Sequence, residues 1–145
     1  MKKVKIYSVL SNSDNETTTI EALAEYDKKN KIIKYTEEDT SVEIEIKNKT
    51  VTMKRKNEEF NMVLKFSLNE KERCKYEVVS LGLNMDIDVY TKKLEIEENR
   101  IYINYELYND NKIFGVFEYK LLLMEWFYEY KRKYKRNNRK SIKNS

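Results

Sequence analysis

Residues 35–66 read YTEEDTSVEIEIKNKTVTMKRKNEEFNMVLKF, from Tyr35 to Phe66. Val42, Ile44 and Ile46 alternate with Glu43, Glu45 and Lys47. The alternation resumes after Asn48-Lys49 as Val51 and Met53 against Thr52 and Lys54, and again as Phe60, Met62, Leu64 and Phe66. A period of two belongs to β-strands, whose successive side chains point to opposite faces. Two such runs joined by two turn-prone residues predict a hairpin. The stretch therefore predicts an antiparallel meander with one apolar and one charged face.

The same pattern extends outward in both directions. Upstream, Val4, Ile6, Ser8 and Leu10 share one parity, then Ile20, Ala22, Ala24 and Tyr26, then Ile33, Tyr35 and Glu37. Downstream come Cys74, Tyr76, Val78 and Ser80, a long run from Leu83 to Glu97, Ile101 to Leu107, and a last strand from Ile113 to Met124. Gly82 precedes the long run, where glycine commonly marks a bulge or sharp bend. About ten short strands with polar turns and no helical period predict an all-β fold. The absence of proline agrees, since proline would remove ladder hydrogen bonds. Consecutive hairpins without long crossovers favour a single up-and-down antiparallel β-barrel over a sandwich.

The chain has 145 residues, enough for one domain, and no Pro- or Gly-rich linker divides it. Residues 1–125 are expected to form the barrel. Residues 126–145 are expected to be a basic, aromatic C-terminal extension, helical or without fixed structure. The charge is uneven. From Trp126 onward there are eight basic residues against one acid, a net of +7, which leaves −3 for residues 1–125 out of the chain's +4. Lys, Asn, Ile, Tyr and Glu are abundant, a composition that A- and T-rich codons give without selection for function. Asn stands in the expected turns at Asn30, Asn48, Asn69, Asn99, Asn109 and Asn111. It tolerates the left-handed backbone that tight turns need.

Much chemistry is excluded. With no histidine there is no imidazole base, Ser-His pair or imidazole metal ligand. Cys74 is the sole cysteine, so it builds neither an intramolecular disulfide nor a zinc site, and strand alternation points to a buried, inert thiol. Gly82 and Gly115 are too few for a phosphate-cradling loop. Asp86 and Asp88 share a face, but the parity opposite to Met85, Ile87 and Val89 places them on the solvated side. No catalytic residue, metal site or cofactor is expected, and the chain reads as a non-enzyme. No apolar run is long enough for a transmembrane helix, and no signal peptide is evident, so a cytoplasmic location is expected.

Polar residues on the apolar parity are the informative ones. Arg55 follows Val51 and Met53, and Glu37 follows Ile33 and Tyr35; Tyr76, Thr91 and Tyr105 also fall on inward positions. Charges inside a barrel must be paired, which makes Arg55 and Glu37 natural partners. Tyr35, Glu37, Arg55, Tyr76, Thr91 and Tyr105 are thus the candidate site for a small anionic or amphipathic ligand. The same residues also suit a structural network that fixes strand register, or a solidly packed barrel with a structural or protein-interaction role. Met53, Phe60, Met62, Phe66, Met85 and Phe114 are the side chains expected to fill such a core. In the extension, Trp126, Tyr130 and Tyr134 lie four residues apart beside Lys131, Arg132, Lys133, Lys135 and Arg136. That pattern suits packing on the barrel, or weak nucleic-acid contact in an RNA-associated role. The sequence sets no oligomeric state.

Tyr35-x-Glu37, Arg55, Met62 ahead of Phe66, Tyr76, Gly82, Thr91, and Tyr105 with Leu107 fall in an order that resembles the YwiB-like family, bacterial domains of unknown function. The resemblance runs from about Val4 to Met124 and implies a calycin (lipocalin-like) β-barrel. It implies no reaction. The family often has glycine soon after the arginine, where this chain has Lys56-Asn57, and the resemblance does not account for the residues from Trp126.

Overall fold

A computed structural model describes residues 2–124 of the protein. Ten strands follow in chain order: β1 (Lys2–Asn12), β2 (Thr17–Asp27), β3 (Ile32–Glu37), β4 (Thr40–Lys47), β5 (Thr50–Lys56), β6 (Phe60–Phe66), β7 (Lys71–Val78), β8 (Leu83–Ile96), β9 (Arg100–Asn109) and β10 (Lys112–Leu123). Each strand pairs antiparallel with the next. The ring closes between β1 and β10, from Ile6↔Leu123 to Asn12↔Phe117. The fold is a closed, ten-stranded up-and-down barrel. Closure leaves no free outer strands, the physical reason a long meander curls up.

The turns show why the chain reverses where it does. Asn48 and Lys49 both have positive φ (50° and 63°), as do Asp110 and Asn111, the signature of two-residue hairpin turns whose twist matches that of the strands. Left-handed backbone falls on Asn48, Asn69 and Asn111 as expected, but in the β2–β3 turn it falls on Lys31 rather than on Asn30, and in the β9–β10 turn Asp110 shares it with Asn111 while Asn109 does not. Asn30 instead ties its turn back to Asp27, through its backbone N–H (3.1 Å) and its amide (2.8 Å). The carbonyl of Asn99 accepts from the Leu123 N–H at 2.8 Å. At Gly82 the chain does bend, though not through a bulge. Gly82 (φ 61°) ends a one-turn 3₁₀ helix, Val79–Leu81, too short to leave a period in the sequence. The register shifts lie elsewhere, between Thr91 and Lys93 in β8 and between Ile113 and Gly115 in β10.

The barrel's two ends differ. Toward the end that holds the β2–β3, β4–β5, β6–β7 and β8–β9 turns lie Val4, Ile6, Ile33, Ile44, Phe66 and Ile101, all at most 2% exposed, below a smaller opening of about 360 Å³ lined in part by Tyr26, Ile46, Ile96 and Leu123. At the opposite end the inward side chains lose their cover. Along β8, exposure climbs from 0% at Val89 through 5% at Ile87 to 40% at Met85 and 53% at Leu83, although all four share one parity. Phe60 and Met62 at the start of β6 are half-buried. Of the six side chains expected to fill a solid core, Met53 and Phe66 do so. Phe60 and Met62 line the mouth, Met85 is exposed at its rim, and Phe114 is exposed. Phe114 has the parity opposite to Phe117, Tyr119 and Leu121 and so faces outward; the shift in β10, which aligns Ile113 with Tyr108 and Gly115 with Leu107, leaves it as the extra residue.

Candidate functional site

Where the packed floor meets the open mouth, three neighbouring strands carry polar side chains inward. Val42 pairs with Tyr35 on one side and with Arg55 on the other, so Tyr35, Val42 and Arg55 lie at one level across β3, β4 and β5. Glu37 lies two residues further toward the mouth, on the parity of Tyr35, and opposite Thr40. Arg55 Nη2 donates to Glu37 Oε2, and the two side chains are only 18% and 16% exposed. The pairing expected from their parity is formed. Partial burial makes it worth more than an exposed ion pair, because the surrounding protein screens it less.

Tyrosines complete the layer. The Tyr35 and Tyr119 hydroxyls share a hydrogen bond of 3.0 Å. Tyr105 lies between Phe117, stacked at 5.3 Å, and Phe66, tilted at 4.8 Å. Burial pushes the phenols of Tyr35, Tyr105 and Tyr119 above the usual tyrosine range, and the positive charge of Arg55 partly opposes this at all three. All three remain neutral at physiological pH, as hydroxyls able to donate and accept hydrogen bonds. Thr91, opposite Tyr105 on β8, is fully buried, and its Oγ1 finds no hydrogen-bond partner among the described residues. Such an orphaned hydroxyl is uncommon in a packed interior.

Of the six candidate residues, Tyr35, Glu37, Arg55 and Tyr105 are thus coupled through Arg55 itself, and Thr91 adjoins Tyr105. Tyr76 stands apart on β7, stacked on Phe60 at 5.9 Å in the mouth. Tyr119 was not singled out in the sequence, although its parity with Phe117, Leu121 and Leu123 marks it as inward. Ser8, fully inward on β1 and a hydrogen-bonding influence on Tyr35, carried the same signal. The departure at Lys56-Asn57 also has a structural role. Asn57 Oδ1 accepts from the Glu59 and Phe60 N–H groups at 2.8 and 2.9 Å, and its amide donates to the buried Thr40 at 3.0 Å. Asn57 therefore caps the β5–β6 turn from inside.

Other candidate chemistry falls away from this layer. Asp88 accepts from Arg73 Nε at 3.1 Å on the outer face, and Asp86 is exposed. Cys74 is buried, and burial pushes its thiol up and away from thiolate chemistry. Among the described residues, no group of three or more His, Cys, Asp or Glu side chains could hold a metal ion, and no helix is long and apolar enough to cross a membrane. Trp126, Tyr130, Lys131, Arg132, Lys133, Tyr134, Lys135 and Arg136, the candidate nucleic-acid residues, lie outside the described residues.

The mouth has an opening of about 660 Å³ along β2, β3 and β5, lined in part by Ile20, Ala22, Glu37, Thr40, Arg55 and Phe60. Its lining is mostly polar, with Thr18, Thr19, Glu21 and Glu38 beside Glu37 and Arg55, and Ile20, Ala22 and Phe60 supply the apolar part.

Residues 4–121 match the family described as Domain of unknown function (DUF1934). The crystal structure of the ywiB protein from Bacillus subtilis is similar, with a TM-score of 0.59 and 17% sequence identity over 83% of this chain and 88% of that one. At that identity the likeness concerns the fold. No curated protein matches the chain.

Proposed function

We propose, since the chain belongs to the DUF1934 family of domains of unknown function, that it is a non-enzymatic barrel that binds a small amphipathic molecule in its open half. The reading takes the barrel as calycin- or lipocalin-like in use, packed at one end and loaded at the other. One observation carries it: inward-facing apolar side chains lose their cover toward the same end that displays the Arg55–Glu37 pair. Covering Met85 and Leu83 above the part-buried ion pair would be favourable by about 25 cal/mol per Å² of apolar surface, which supports an apolar partner for this end.

The ligand's apolar body would lie against Phe60, Met62, Tyr76 and Met85. Its head would meet Arg55, of which Glu37 engages only Nη2. Because Glu37 neutralises one charge, the pair suits a single carboxylate or a neutral hydrogen-bonding head better than a multiply charged anion. No group in the layer is assigned a catalytic role, and the cytoplasm is the expected setting.

The test is fluorescence titration with anilinonaphthalene sulfonate, displaced by medium-chain carboxylates, on the full chain and on Arg55→Gln. Loss of a charge-assisted hydrogen bond should weaken carboxylate binding by at least about tenfold while leaving the barrel folded. No binding by the full chain would remove the ligand reading and leave a structural or protein-interaction barrel. Binding only of oligonucleotides, lost when the chain ends at Glu125, would move the function to the basic extension.

A further inference from the structure

The ten strand pairings are not equally complete. β1 and β2 stay in register over ten residue pairs, from Lys2↔Tyr26 to Ser11↔Thr17. β2 and β3 share three: Glu25↔Lys34, Tyr26↔Ile33 and Asp27↔Ile32. Continued, that register would join Ala24 to Tyr35, Leu23 to Thr36 and Ala22 to Glu37, but the ladder stops. The β6–β7 ladder is also short, with four pairs. There, however, the chain plugs its own gap. The Lys65 N–H donates to Cys74 Sγ at 3.3 Å, and the β6–β7 turn reaches across to β8, where the Asn69 N–H donates to the Thr91 carbonyl at 2.8 Å. No equivalent plug closes β2 against β3 among the described residues.

Two openings lie along this seam. The first is the 660 Å³ opening to Arg55 and Glu37 described above. The second, about 780 Å³, lies along the wall, lined in part by Leu23, Lys34, Lys54 and Lys56. Ala22 and Thr36 line both. The two openings meet at Ala22 and Thr36, where the β2–β3 ladder has ended, while Ala24 and Tyr35 just below stay buried. The inward residues on the β2 side, Ala22 and Ala24, are small, and Leu23 beside them is 71% exposed. The lip is amphipathic: one exposed leucine beside Lys34 and Lys54, which flank Glu43 at 3.6 and 3.7 Å, and Lys56.

We propose that this β2–β3 seam is the lateral portal through which the ligand reaches the Arg55–Glu37 layer. The inference rests on the ligand-binding reading and adds the route and the shape of the ligand. Molecules that pass would be slender and single-chained, with a carboxylate or similarly small acidic head. Lys56 at the lip would draw that head in, and Arg55 would receive it after Glu37.

The experiment closes the seam and reads rates. In Leu23→Cys/Thr36→Cys, dibromobimane bridges the two outward thiols, while Cys74 is shielded by its burial. Stopped-flow association of a medium-chain fluorescent fatty acid is compared before and after bridging, with Ala22→Trp as an independent plug. The portal predicts that both closures slow association by about tenfold or more, with little change in equilibrium affinity for the bridged protein. Equal rates in open and closed proteins would overturn the portal and leave binding through the open rim. Failure of the unbridged protein to bind would overturn both the portal and the reading it rests on. The unbridged double variant is the folding control, and a plugged but folded Ala22→Trp that binds at the original rate counts against the portal.

Discussion

Arg55 and Glu37 sit between a dry floor and a wet mouth, and what either contributes depends on what is left when the other is removed. Arg55→Ala strands a mostly buried carboxylate, so a loss of about 3 kcal/mol is expected in urea unfolding. A matched replacement, Arg55→Met with Glu37→Leu, should cost much less than the sum of the single losses, because it also removes two desolvated charges. Additive losses would show that the two side chains do not act as a pair. The tyrosines give a pH prediction. Tyr35, Tyr105 and Tyr119 all have raised folded-state values, caused first by burial. A phenol that ionises more readily unfolded than folded contributes stability that is fully present below its unfolded value, near 10, and is lost as pH rises through the folded one. Stability should therefore be flat through neutral pH and fall steeply above about pH 10. In an alkaline titration of tyrosinate absorbance, the buried phenols should ionise only with unfolding, and Tyr105→Phe should reduce the slope.

At the scale of the element, alternation in the sequence was enough to find all ten strands, because a half-buried strand must repeat every second residue. The turns were legible as positions, but which residue turns left-handed was not. Local hydrogen bonds such as Asn30 to Asp27 assign that role, so Lys31 and Asp110 bear it. The Arg55–Glu37 pair was readable because two charges on an apolar parity have few alternatives to each other. The open end was not readable, since Met85 and Leu83 carry the same parity as buried Ile87 and Val89. Only the barrel's depth separates them. The shift in β10 was equally hidden, and it turns Ile113 outward opposite Tyr108. That shift depends on Gly115. A Cβ added there would lie 2.4 Å from the Phe117 ring, which is itself stacked on Tyr105. Gly115→Ala should displace Phe117, weaken the near-ultraviolet circular dichroism of the stacked pair and cost about 1–3 kcal/mol. An unchanged spectrum with unchanged stability would mean the ring moves freely and does not anchor Tyr105.

Over the whole molecule, the two halves of the barrel differ among the described residues. One half is filled with branched aliphatic side chains and carries the stability. The other is left open around a polar layer whose members, Arg55, Glu37 and three tyrosines, are held from the packed side. Rigid support beneath an unfilled space is what pre-organised recognition needs, because little ordering remains to be done when a ligand arrives. The RNA-associated alternative places function in residues 126–145 and makes no use of this space. The most direct test is native mass spectrometry of the full chain purified from its own cells under gentle conditions. The account predicts a species heavier than the bare chain by one small molecule, lost on activation and diminished in Arg55→Gln. A bare-chain mass alone, with no adduct in either protein and none regained on incubation with a lipid extract of the same cells, would contradict it.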